Sequence, residues 1–186
     1  DSVSVAPNKL KVSNVSNPFY FPAKQTYTVS SRNIVAMATA TTALSTGQFG
    51  QFPLYVFTGE GVFALSVGTG DIAYANSFSV TRDVCNNPDS IVSTDDAIVF
   101  STDSGLKVLS GSTVRDISSD MEGYLPTAVD SSPIIKKIAG VGGFSDKLSS
   151  TEFIYYLEEA KVGYNYKDKE VIVANRNYPY SYVFNM

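Results

Sequence analysis

Leu54-Tyr-Val-Phe-Thr58, Gly59-Glu-Gly61 and Val62-Phe-Ala-Leu-Ser-Val67 are two short runs of β-branched and aromatic residues around a turn bearing two glycines. Such a run, turn and run reads as a β-hairpin, with glycine where the backbone needs positive φ. The figure returns at Ala97-Ile-Val-Phe-Ser101, Thr102-Asp-Ser-Gly105 and Leu106-Lys-Val-Leu-Ser110. Val56 aligns with Val99 and Phe57 with Phe100, a spacing of 43 at both positions. A third copy is expected at Gly163–Tyr166, Lys167-Asp168-Lys169 and Glu170–Ala174, with Asp168 as the counterpart of Asp103.

Extending each hairpin outward gives units of four strands. The second unit reads 90–93, 97–101, 106–110 and 113–117, and the first 34–37, 54–58, 62–67 and 77–80. Between its first two strands the first unit is 14 residues longer than its sister, because Ile34 to Val56 is 22 residues and Ile91 to Val99 is 8. Four strands recurring every forty or so residues is the pattern of a β-propeller blade. The expectation is therefore an all-β, β-propeller-like fold of about three to four four-stranded blades. One short helix near 150–160 interrupts it. Ser149 and Glu152 form a Ser-x-x-Glu capping box, Phe153, Tyr156, Leu157 and Ala160 recur at helical spacing, and Gly163 ends the helix. Residues 1–25, with Pro7, Pro18 and Pro22, read as an extended N-terminal arm before a propeller-like domain at 26–186.

Composition narrows the function. The chain has 186 residues, with 14 Lys and Arg against 18 Asp and Glu, a net charge of −4. That balance argues against sequence-specific nucleic-acid binding through a basic face. Only 17% of residues are charged, against roughly 25% in an average soluble domain, so neutral surface is available for neighbours. There is no His, which removes Ser-His-Asp and Cys-His catalysis and His-ligated metals. Cys85 is alone and forms neither an internal disulfide nor a cysteine-rich zinc site. No apolar run reaches the roughly 18 residues of a membrane span. With no initiator Met, the chain reads as a processed product or a piece of a longer protein. The expectation is a non-enzyme with no catalytic residues, no cofactor and no metal.

Three places carry the remaining signal. Ser101-Thr-Asp103-Ser-Gly105 resembles the Asp-box of sialidase-type propellers, with Lys107 and Val108 in place of its Thr and Trp. There the aspartate ties down its own hairpin, so Asp103 and Gly105 are expected to be structural turn residues. The adjacent Asp95 and Asp96 lack the ordered series of oxygen ligands a calcium loop needs. Tyr178, Tyr180 and Tyr182 alternate along the expected last strand and share one face, either a sugar-stacking platform or a strand buried against a neighbour. The insertion 41–52 ends in Gly47-Gln-Phe-Gly-Gln-Phe52 and is uncharged. Gln48, Phe49, Gln51 and Phe52 suit a protein interface, where aromatics anchor and charges are depleted.

Asn17-Pro-Phe-Tyr-Phe-Pro22, Gly47–Leu65, Arg82–Ser90 and Ala97–Gly105 together resemble propeller-bearing structural proteins of short-tailed phages. These are tail-nozzle and packaged-DNA stabilisation proteins of phages and of prophages in gut bacteria. The resemblance covers roughly residues 17–118 and, more weakly, the last strands. It implies a virion component, assembled in the bacterial host cytoplasm, whose copies form a ring, hexameric in the family, against portal and tail proteins. Members are longer than this chain and act through geometry and surface charge. The alternative is a carbohydrate-binding or adhesin-type propeller in which Tyr178, Tyr180 and Tyr182 line an open groove.

Overall fold

A computed structural model describes residues 5–42, 51–118 and 150–186, with helix side chains from Phe153 onward. Among the described residues the chain is all-β apart from one helix and two 3₁₀ turns. Strands β1 (Lys9–Lys11) and β2 (Thr26–Thr28) form a hairpin. Sheet 1 is a meander of β3 (Ile34–Thr39), β4 (Leu54–Thr58), β5 (Gly61–Val67) and β6 (Tyr74–Thr81). Sheet 2 repeats it with β7 (Val92–Ser93), β8 (Ile98–Thr102), β9 (Gly105–Ser110) and β10 (Thr113–Asp116). Helix α1 (Ser150–Glu158) leads to sheet 3, formed by β11 (Lys161–Asn165), β12 (Glu170–Ala174) and β13 (Ser181–Asn185). The two hairpins read from sequence thus lie in separate antiparallel sheets, as expected of blades.

These sheets stack face to face because successive residues of a strand point to opposite sides. In sheet 1, Tyr55, Phe57, Val62 and Ala64 face sheet 2 and meet Ile98, Phe100 and Leu109. The alternate residues Val56 and Leu65 point the other way, against Leu10, Tyr27 and Val29 around the β1–β2 hairpin. In sheet 2, Val99, Leu106 and Val108 turn to the far side. They pack on Phe153, Tyr156 and Leu157 of α1 and on Val171, Val173, Tyr182 and Phe184 of sheet 3. The layers run hairpin, sheet 1, sheet 2, then α1 with sheet 3. First strands gather along one edge of the stack, β3 beside β7 and β7 beside β11, while β6 adjoins β10 on the other. No barrel closes among the described residues.

The stack corrects four sequence-based expectations. Thr58 Oγ1 donates to Gly61 O (3.0 Å) and accepts from Glu60 N, and Thr102 Oγ1 does the same to Gly105 O (3.1 Å) and Ser104 N. The repeat equates Thr58 with Thr102 and Gly61 with Gly105, a spacing of 44. The spacing of 43 pairs Val56 with Val99, which point to opposite faces; a one-residue slip in a period-two element inverts every side chain. In the third unit β11 lies beside β7, so the turn with Asp168 matches the β7–β8 turn and not Asp103's. Helix α1 stops at Glu158 and Gly163 lies inside β11; Ser149 falls outside the described residues. The stretch read as an extended arm contains β1, and Leu10 helps to cover sheet 1.

Gly61 and Gly105 both have positive φ, at 126° and 137°. At Gly61 an added Cβ would also lie 2.2 Å from Thr81 O, so both conformation and space demand glycine. The central contact between sheets 1 and 2 is the edge-to-face pair Phe57–Phe100, with ring centroids 5.2 Å apart and both rings buried. Phe57→Ala is expected to lower unfolding stability by about 3–5 kcal/mol. The exposed Phe78→Ala should change it by less than about 0.5 kcal/mol. Urea denaturation of the two variants beside the parent chain measures the contrast.

Candidate interaction site

The connection 40–53 between β3 and β4 is 14 residues long, while its counterpart 94–97 in sheet 2 has four. Its near root is fixed to that counterpart. Thr41 Oγ1 donates to Asp95 O, Thr42 Oγ1 to Asp96 O, and Ser93 Oγ to Thr39 O at 2.7 Å. The β7–β8 turn is itself closed by Thr94, whose Oγ1 accepts from Ala97 N at 3.2 Å.

Asp95 extends the tie to sheet 3. Its Oδ2 accepts from Lys169 Nζ (2.5 Å) and Tyr164 OH (2.8 Å), and Tyr166 OH donates to Ser93 O at 3.3 Å. The hydrogen bond from Lys169, then that from Tyr164, hold the Asp95 carboxyl below the usual carboxylate range, and the same bond raises Lys169. Both side chains are about half exposed, so the ion pair contributes little energy alone. Its effect is positional. One aspartate fixes the turn to which the long connection is moored and joins that turn to the third sheet.

Of the interface residues read from sequence, Gln48 and Phe49 lie outside the described residues. Gln51 is exposed and Phe52 keeps 43% of its surface open. Asp103 does not tie its own hairpin, which Thr102 closes. Asp103 Oδ1 accepts from Asn86 Nδ2 (2.8 Å), binding the turn to the segment that crosses from sheet 1 to sheet 2. Gly105 fills its expected turn place. Cys85, in that crossing segment, is buried and donates to Asn87 O (3.2 Å); burial pushes its thiol up, so it stays neutral.

The tyrosines do not share one open face. Tyr182 is 2% exposed in the core, while Tyr178 and Tyr180 are half-buried around Tyr156, the Tyr180 ring stacked on it at 5.5 Å. Tyr156 OH donates to Tyr180 O (2.8 Å) and accepts from Asn175 N (3.0 Å). Of the two readings, the buried face fits and the open platform does not: the three rings contact one another and Tyr156, and the register of β13 puts Tyr182 with Phe184 against α1.

Sequence reasoning missed Asp95, Tyr164 and Lys169 as one constellation. The available signal was the third-unit turn, Tyr164-x-Tyr166-x-x-Lys169, once placed opposite Asp95 instead of Asp103.

Because the Asp95 pKa is depressed in the folded state, its contribution is fully present above the unfolded value of about 3.9 and is lost as pH falls through the lower folded value. Asp95→Asn should therefore make the fall in stability below about pH 4 shallower than in the parent chain. Urea midpoints measured across the acid range test this, and identical acid limbs would contradict it. Compared with protein-family models and with curated proteins, the chain matches none.

Proposed function

We propose that this chain is a non-catalytic structural module of a short-tailed phage particle, a tail-nozzle, neck or packaged-DNA stabilisation component that works by contacts with copies of its parent protein and with portal and tail proteins. It is assembled in the bacterial host cytoplasm and resides in the virion. The observation that carries this reading is the 40–53 connection, an uncharged, phenylalanine-bearing segment moored at its root to a turn that also holds the third sheet. An aromatic segment on a fixed base suits assembly, since anchors bind best when their support is already ordered. The resemblance of residues 17–118 supplies the particle; the stacked sheets supply a scaffold. The carbohydrate-binding alternative loses its principal support, because the Tyr182 ring is unavailable to a sugar.

Peptide mass spectrometry of density-purified particles from the parent phage or prophage tests the assignment. The chain's peptides should band with DNA-filled particles; their absence, or specific glycan-array binding by the chain, would overturn it. In the parent gene, Phe49→Ala with Phe52→Ala should cut the yield of complete particles by about tenfold or more while the isolated chain stays folded. If the double variant unfolds the isolated chain, the segment is core packing and not an interface.

A further inference from the structure

A second aromatic surface lies far from the 40–53 connection in sequence. Residues 13–22, between β1 and β2, contain no charge and present Phe19, Tyr20 and Phe21 at 90%, 58% and 52% exposure. Three consecutive open aromatics would ordinarily collapse or be avoided. Here they are held in place. Asn14 Oδ1 accepts from Ser16 N (2.9 Å), Asn17 Oδ1 from Phe19 N (3.0 Å), and Asn14 N donates to Tyr20 O (2.8 Å). At the base, buried Gln25 donates through Nε2 to Asp71 O (3.1 Å) and its carbonyl accepts from Val12 N (3.0 Å). The cost of ordering the loop is met before any partner arrives.

The strand that leads into the loop is basic. Residues 2–59 contain Lys9, Lys11, Lys24 and Arg32 and no Asp or Glu; Lys24 is paired with Asp71 at 3.4 Å, which leaves the exposed Lys9 and Lys11 of β1 as the cations beside the loop. Beyond sheet 2 a cleft of about 620 Å³ opens between the Pro88–Ser90 turn, the end of α1 and the end of β12. Asp89, Glu158 and Glu159 line it with Lys161 and Arg176. The two cations pair with Asp89 (3.8 Å) and Glu159 (3.9 Å), which leaves a carboxylate in excess, and the helix C-terminus adds partial negative charge. The volume falls in the roughly 300–1,000 Å³ range of ligand-sized sites, and the guanidinium of Arg176 offers a flat face to an aromatic ring.

We propose that the 13–22 loop of one copy docks in the Asp89–Glu158–Glu159 cleft of a second copy, head to tail, with Lys9 and Lys11 facing the carboxylates. The inference rests on the assembly reading above and names the two surfaces that meet. Because they are different patches, the contact is heterologous and propagates into a ring or a line of copies. Opposite charges flanking an aromatic anchor set direction and on-rate.

Sedimentation velocity of the whole chain, from micromolar to millimolar and at low and high salt, tests it. Concentration-dependent association that weakens with salt is expected. Phe19→Ser with Phe21→Ser should weaken it about tenfold or more, as should Glu158→Lys with Glu159→Lys. A chain carrying Lys9→Glu and Lys11→Glu should fail to associate alone but should pair with the Glu158→Lys/Glu159→Lys chain. All substituted side chains are exposed apart from the half-open Phe21 ring, and near-ultraviolet circular dichroism checks the fold of each variant. A monomeric parent chain, association indifferent to either double variant, or failure of the charge-swapped pair would overturn the proposal. So would loop-dependent binding to phosphatidylcholine–phosphatidylserine vesicles without self-association, which would make lipid the occupant. If the chain stays monomeric yet its peptides band with particles, the pairing fails and the particle assignment stands.

Discussion

Strands β4 and β8 are apolar at successive positions, Leu54–Phe57 and Ile98–Phe100, and a strand sends successive side chains to opposite faces. Each therefore has two faces to bury. A single sheet on a helix covers only one, so these sheets must be interior layers with something apolar on either side. Burying a large apolar side chain contributes about 1.5–3 kcal/mol, and sheets 1 and 2 gain this on both faces. The hairpin covering Val56, the Phe57–Phe100 contact and the α1–sheet 3 layer over Val99 all answer that one demand.

The same demand explains what was legible beforehand. Hairpins announce themselves locally, through alternating runs and turn residues, and both four-strand units were visible in that way. Register was not, because two apolar runs align almost equally well one residue apart. Only the turn threonines, Thr58 and Thr102, with Gly61 and Gly105, choose between spacings of 43 and 44, and their side-chain bonds fix the choice. The third unit was misplaced for a related reason. Its hairpin has the right composition, but whether a hairpin joins inner or outer strands is decided by neighbours in space. β11 lies beside β7, which no local pattern encodes.

The candidate site was legible in one half. An uncharged insertion with Phe49 and Phe52 is visible in composition, whereas its mooring at Asp95 requires residues 41, 95, 164 and 169 to meet from three sheets. Asp103 shows the converse. A local motif named the right residue and the wrong partner, because Thr102 already satisfies the hairpin and leaves the carboxylate for Asn86. The tyrosines were legible as one face, since Tyr178, Tyr180 and Tyr182 contact one another and all pack on Tyr156; that α1 covers this face was not legible, because it depends on an element about twenty residues earlier in the chain.

The two outward surfaces of the stack are not alike, and the difference bears on how such a module works. β13 alternates exposed and buried, and the far side of sheet 3 sets Ile172 and Val183 among Lys161, Asn165, Ser181 and Asn185. That is a wetted face, polar around a thin apolar row, unlike the continuous apolar faces between sheets 1 and 2. At the other surface the β1–β2 hairpin covers sheet 1, and its connecting loop carries the open aromatics. A sheet face as polar as this gains little by packing flat on another sheet, since Lys161 and the asparagines would need new partners for each bond lost to water. Contacts between copies are then better made by loops inserted into clefts than by one sheet laid on the next. The apolar, ordered groups available for that purpose, Phe19 to Phe21 and Phe52, sit on loops whose bases are tied down and whose tips are free of charge.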